Sequence, residues 1–109
     1  MDRKIDRYTY RLTWSEEDQE YIGLCAEFPS LSWLEETQVG ALSGIQNLVL
    51  ETVAEMNNAN EEIPQPFSTR DYSGKVLLRI TPETHRLLVI QAAESGVSLN
   101  RYIASRLHK

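Results

Sequence analysis

The chain is poor in the residues that small proteins use for covalent or metal chemistry. Cys25 is its only cysteine, so an intrachain disulfide is impossible and a reducing compartment is indicated. Its two histidines, His85 and His108, show no HxxxH or Cys/His spacing, and no metal site is expected. The five glycines are scattered, and none builds a phosphate-cradling loop. No apolar run approaches the roughly 20 residues of a membrane-spanning helix. The opening MDRKIDRYTYR lacks the apolar stretch of a secretory signal. These absences point to a cytoplasmic protein without a membrane partner. Converging carboxylates are missing too. Glu27 is the only acid on the predicted strands, and Glu16, Glu17 and Asp18 fall in a loop. Metal-dependent nuclease chemistry needs several such groups around one cation. No catalytic residue and no cofactor is therefore expected.

What is present is an ordinary globular composition, 41% apolar and 25% charged, in 109 residues. That allows one domain or two very small ones. Charge divides the chain unevenly. Residues 1–70 carry thirteen acids and five bases, whereas residues 71–109 carry three acids and six bases. An acidic body with a basic end suggests two partners of different chemistry.

The first segment, RYTYRLTW (7–14), alternates with Tyr8, Tyr10, Leu12 and Trp14 on one face, as in a half-buried strand. After the polar SEEDQE, YIGLCAEF (21–28) reads as a second strand in a hairpin, with Ile22, Leu24, Ala26 and Phe28 alternating. Pro29 ends it, because proline offers no N–H to a ladder. LSWL (31–34) is a candidate third strand. The period then changes. Leu42, Ile45, Leu48, Val49, Thr52, Val53 and Met56 recur at three and four residues, which predicts a helix over about 37–56 with Thr37 as N-cap. The aperiodic stretch 57–74 contains Pro64 and Pro66 and reads as a linker, with room for a fourth strand nearby. The expected division is a β-β-β-α domain over 1–60, a linker over 61–73 and a second domain over 74–109.

That second domain reads as one strand and two helices. Val76, Leu78 and Ile80 alternate with Lys75, Leu77 and Arg79. Thr81-Pro82 starts a helix, Gly96 ends it, and Ser98 caps another in which Leu99, Ile103 and Leu107 lie at i+4 spacing. In the first of these helices His85, Leu88, Val89 and Ala92 share a stripe, with His85 at the edge of the core. Leu87 and Ile90 fall on the other side, a contact surface for the N-terminal domain, the linker or a second dimer, or else a greasy solvent face.

A lone strand leaves N–H and C=O groups unpaired. One solution is a second copy. Two strands then pair antiparallel and the helices interlock in a ribbon-helix-helix dimer. Its core would hold Val76, Leu78, Ile80, Leu88, Ala92, Leu99 and Ile103. Lys75, Leu77 and Arg79 would face the DNA major groove, and Ser98 and Asn100 a phosphate. The other solution is that the strand joins the N-terminal sheet. Cys25 reads as a structural thiol, and His108 as a surface residue. Trp14 and Trp33 suit core packing or partner anchoring.

The segment SGKVLLRITPETHRLLVIQAAESGVSLNRYI (73–103) resembles the C-terminal part of HicB-type antitoxins. The marks are Ser73-Gly74-Lys75, Leu78-Arg79-Ile80 before a proline, His85-Arg86, and Gly96-Val97-Ser98-Leu99-Asn100. The N-terminal half is similar to the same family in its tyrosine-led strand, AEFPSLS (26–32), the helix beginning near ET (36–37), and IPQP (63–66). Where many HicB chains have a Pro-Gly turn, this one has Ser32-Trp33-Leu34. The resemblance implies a partial ribonuclease H-like α+β domain without a working active site, followed by a ribbon-helix-helix domain. It also implies an antitoxin that binds a HicA-type RNA-cleaving toxin, with Trp33 and Leu34 as candidate contacts. Such a protein would bind its own operator DNA as a homodimer or homotetramer. A stand-alone ribbon-helix-helix repressor, whose first domain oligomerises or senses a ligand, is the other reading.

Overall fold

The computed structural model describes residues 4–108. The ends of the two expected domains, residues 1–3 and 109, lie outside the described residues. The architecture is α+β and divides into two compact units, the first ending at Tyr72 and the second starting at Ser73.

In the first unit, β1 (Tyr10–Ser15), β2 (Glu20–Cys25) and β3 (Ser32–Glu35) form an antiparallel sheet in the order β1-β2-β3. A helix, α1 (Gln38–Asn58), follows. Thr37 caps it as its spacing predicts, its side chain accepting from the Gly40 N–H. The helix lays Ala41, Ile45 and Val49 on the sheet.

The face that α1 covers carries Tyr10 opposite Cys25, Leu12 opposite Gly23, and Gly23 opposite Trp33. On β2 this is the parity of Gly23 and Cys25. The apolar alternation Ile22, Leu24 marks the other face. Gly23 explains why. A Cβ there would run into the Ala41 carbonyl and the Ile45 side chain, so its missing side chain lets α1 approach the sheet. No described helix of this unit covers the opposite face, where Arg11, Ile22, Leu24 and Leu34 lie.

The second strand stops at Cys25, three residues before its expected end. The chain turns there, with Phe28 N–H donating to the Cys25 carbonyl at 3.1 Å. The turn puts Glu27 and Phe28 inside. Phe28 meets the Tyr8 ring edge-on at 5.3 Å, within a core of Ile5, Tyr8, Cys25, Phe28, Ile45 and Val49. Burial pushes the Cys25 thiol up to about 11, which keeps it a neutral packing group at ordinary pH.

Glu27 ties three pieces of chain together. It accepts from the Thr9 N–H at 2.9 Å and the Thr9 hydroxyl at 3.1 Å. It also accepts from the Phe67 N–H at 2.9 Å, forty residues away in sequence. Two further bonds hold the same segment, from the Tyr8 hydroxyl to the Pro64 carbonyl at 2.6 Å and from the Ser68 hydroxyl to the Arg7 carbonyl at 2.6 Å. Residues 64–68 of the presumed linker are thus fixed to the first unit. No fourth strand forms among the described residues. Pro64 and Pro66 have no N–H for a ladder, and a 3-10 turn at Phe67–Thr69 follows them.

Burial by itself would raise the Glu27 pKa. The N–H donors of Phe67 and Thr9 outweigh it and hold the carboxyl below its ordinary value of 4.5. Its stabilisation is therefore present above that value and lost as pH falls through the lower folded one. Glu27→Gln, which turns a donor toward these N–H groups, should cost about 2–3 kcal/mol near neutrality. Denaturant titrations at several pH values check this. The gap between wild type and variant should close in acid, and a pH-independent gap would contradict the role.

Candidate nucleic-acid and partner interface

The second unit begins with a segment that forms neither helix nor strand. Gly74 takes a left-handed φ of 80°, and Ser73 accepts from the Lys75 N–H at 3.1 Å. Residues 75–80 carry no strand assignment, although their alternation predicts one. A strand is defined by its partner's hydrogen bonds, and a single chain here supplies none. The side chains of both parities are exposed, Val76 at 82% and Leu77 at 83%. Lys75, Leu78, Arg79 and Ile80 are exposed as well. The sheet of the first unit contains only its own three strands.

Two helices follow, α2 (Pro82–Glu94) and α3 (Leu99–Leu107). Thr81 caps α2 through the Thr84 N–H at 3.2 Å, with Pro82 at the first turn. The helix ends in a Schellman arrangement. Gly96 N–H donates to the Ala93 carbonyl and Val97 N–H to the Ala92 carbonyl, both at 3.1 Å, with Gly96 at φ 70°. Ser98 caps α3 through the Arg101 N–H at 3.1 Å. Its oxygen is thereby engaged, and Asn100 beside it is exposed.

Only Ala92 and Tyr102 are buried in this unit among the described residues. Leu88, Leu99 and Ile103, expected in a shared core, are half-buried. His85 is exposed, not at a core edge, and Val89 of the same stripe is exposed too. The helix pair has nothing packed over that side of α2 within the unit. Tyr102 is the residue that spacing missed. Its ring lies between the helices and its hydroxyl donates to Gln91 Oε1 at 3.0 Å. Arg106 returns two N–H contacts to that hydroxyl, at 3.3 and 3.2 Å, with its guanidinium 5.4 Å from the ring centroid. The i+4 series Leu99, Ile103, Leu107 concealed it, and Leu107 itself is exposed.

Trp33 and Leu34, the expected partner contacts, lie on opposite faces of the sheet. Trp33 shares the α1 side with Gly23, and its indole rests where a Gly44 side chain would be. Its N–H donates to Glu35 Oε1 at 3.0 Å. Leu34 is opposite Ile22 on the helix-free face. Trp14 is likewise half-exposed, with its ring 5.0 Å from Tyr21 and its N–H on Glu16 at 2.7 Å. The two residues therefore belong to two different surfaces.

No group of three or more His, Cys, Asp or Glu among the described residues could hold a metal ion. No described helix is long and apolar enough to cross a membrane.

The sequence model of the HicB family matches residues 58–107, from the end of α1 through α3, so this part of the chain is similar to that family. Searches of curated proteins and of solved structures returned no match.

Gly44→Ala should force the Trp33 indole outward. Overpacking of this kind costs about 1–3 kcal/mol. In a Trp14→Phe background, Trp33 emission should shift to longer wavelength. An unshifted spectrum with unchanged stability would show that the indole does not rest on Gly44.

Proposed function

We propose that this chain is the antitoxin of a HicA/HicB-type pair. It binds an RNA-cleaving toxin with its first unit and represses its own operon with its second, and it performs no catalysis. The observation that carries the reading is the family match over residues 58–107. The exposed apolar residues of 75–80 agree with it. They suit a ribbon shared by two copies, with a core of Val76, Leu78, Ile80, Leu88, Ala92, Leu99 and Ile103. In that ribbon Lys75, Leu77 and Arg79 face the bases, while Asn100 and the amides at the start of α3 meet a phosphate. The acidic first unit suits a basic, RNA-binding partner, and the basic second unit suits DNA.

The family match begins at Asn58, so it bears on the second unit more directly than on the sheet. That favours keeping the stand-alone repressor as a second reading. Co-expression with a neighbouring small reading frame separates the two. An antitoxin forms a stable complex and suppresses RNA cleavage, and its association slows as salt rises. A folded chain that never binds the neighbouring product leaves the repressor.

Leu78→Lys would put an unpaired charge into the shared core and should leave the chain unable to pair through 75–80. Arg79→Ala should weaken operator binding by about 1–3 kcal/mol and relax sequence preference. Footprinting the upstream DNA measures both quantities. Unaltered affinity and preference for the Arg79 variant would argue against a ribbon on the bases.

A further inference from the structure

We propose that the first unit binds a short free peptide in a cleft beside the end of α1, holding it by its two charged termini. This stands apart from both the antitoxin and the repressor readings, since neither needs a small ligand.

The cleft encloses about 650 Å³, and both its walls belong to the first unit. That volume is in the range of small-molecule sites and far exceeds the needs of one ion. One wall is the 3-10 turn Lys4–Arg7, which brings Lys4 and Arg7 to the lining. The turn is held from beneath. Ile5 is buried in the core, and its carbonyl accepts from the Tyr10 hydroxyl at 2.8 Å. The other wall is the chain leaving α1, which brings Glu61, Glu62, Ile63 and Pro66. It is held as well. Asn60 takes a left-handed φ of 57°, and the Glu61 N–H donates to the Met56 carbonyl at 2.9 Å. Farther along, the Pro64 carbonyl accepts from the Tyr8 hydroxyl and the Ser68 hydroxyl donates to the Arg7 carbonyl, each at 2.6 Å. Walls fixed in this way are in place before a ligand arrives.

The charges select the ligand. Glu61 and Glu62 lie just past the carbonyl end of a 21-residue helix whose last turn has no basic residue. Acids there add to the negative end of the helix dipole and are unfavourable without a cation. Lys4 stands on the facing wall. Among the described residues no side-chain hydrogen bond or ion pair engages Lys4, Glu61 or Glu62. A wholly anionic ligand would meet the two acids, and a wholly cationic one would meet Lys4 and Arg7. A ligand with an ammonium at one end and a carboxylate at the other satisfies both walls. Its charges must also be apart, because the walls are. In a free amino acid they share one carbon, whereas a dipeptide or tripeptide separates them by about 3.3–3.6 Å per residue. Half-buried Ile63 and buried Pro66 give the lining an apolar part for small side chains.

Titrating the full chain with trialanine, followed by amide chemical shifts, tests this. Saturable shifts should appear at residues 4–7 and 61–66. Acetylating the peptide's amine, or converting its carboxylate to an amide, should each weaken binding at least about threefold. Each loss should belong to one wall. Lys4→Gln should lose most of the distinction between trialanine and its amide. Glu61→Gln with Glu62→Gln should lose most of the distinction between trialanine and its acetylated form. A merely adhesive surface produces no such pairing, and the amide spectra show that each variant is folded. The absence of saturable shifts at millimolar trialanine overturns the proposal. So does binding that either cap leaves unchanged, free alanine that binds as tightly as trialanine, or a distinction undiminished in the matching variant.

Discussion

The segment 75–80 is neither helix nor paired strand in the single chain. Its peptide groups can be satisfied by water. Its side chains cannot be satisfied so easily, because Val76, Leu78 and Ile80 offer apolar surface that α2 and α3 leave uncovered. Those helices bury only Ala92 and Tyr102 among the described residues. Units below about 40 residues seldom stand alone without a staple, a metal or an oligomer. Cys25, the sole cysteine, lies in the other unit, so no disulfide holds this one. The caps at Thr81 and Ser98 and the Schellman end at Gly96 fix the shape of the helix pair before any partner arrives. They supply geometry, and on the proposed function association would supply the core.

The first unit solves its problem internally. Its sheet is covered by α1 at a distance set by Gly23 and Gly44. Its buried carboxylate, Glu27, is matched by N–H donors from two distant segments. No buried side-chain nitrogen or oxygen among the described residues lacks a hydrogen-bond partner. A residue that burial alone would penalise thus becomes the fastening for the chain that leads toward the second unit.

Most elements were legible in the sequence. The helices announced themselves through three-four spacing and through Thr37, Thr81 and Ser98 as caps, and the hairpin through alternation. What was not legible has specific causes. Gly23 carries no hydrophobic signal, so the apolar alternation pointed away from the face that α1 covers. Glu27 reads as a surface acid until Thr9 and Phe67 are seen to converge on it. Two prolines suggested a free linker over 61–73, whereas the Pro64 carbonyl and the Phe67 N–H bond to Tyr8 and Glu27 of the first unit. Tyr102 was masked by neighbouring aliphatics. For the candidate site, Lys75, Leu77 and Arg79 could be placed on one parity, but both parities are exposed in the single chain.

The contrast between the units has a consequence on the proposed function. On that proposal, a self-contained first unit would bind toxin one chain at a time, so neutralisation would follow total antitoxin concentration. A second unit completed by association would bind DNA only as an assembled species, so operator occupancy would follow a higher power of that concentration. Repression would then respond more steeply than neutralisation to a fall in antitoxin, and the difference would come from how each unit completes its core.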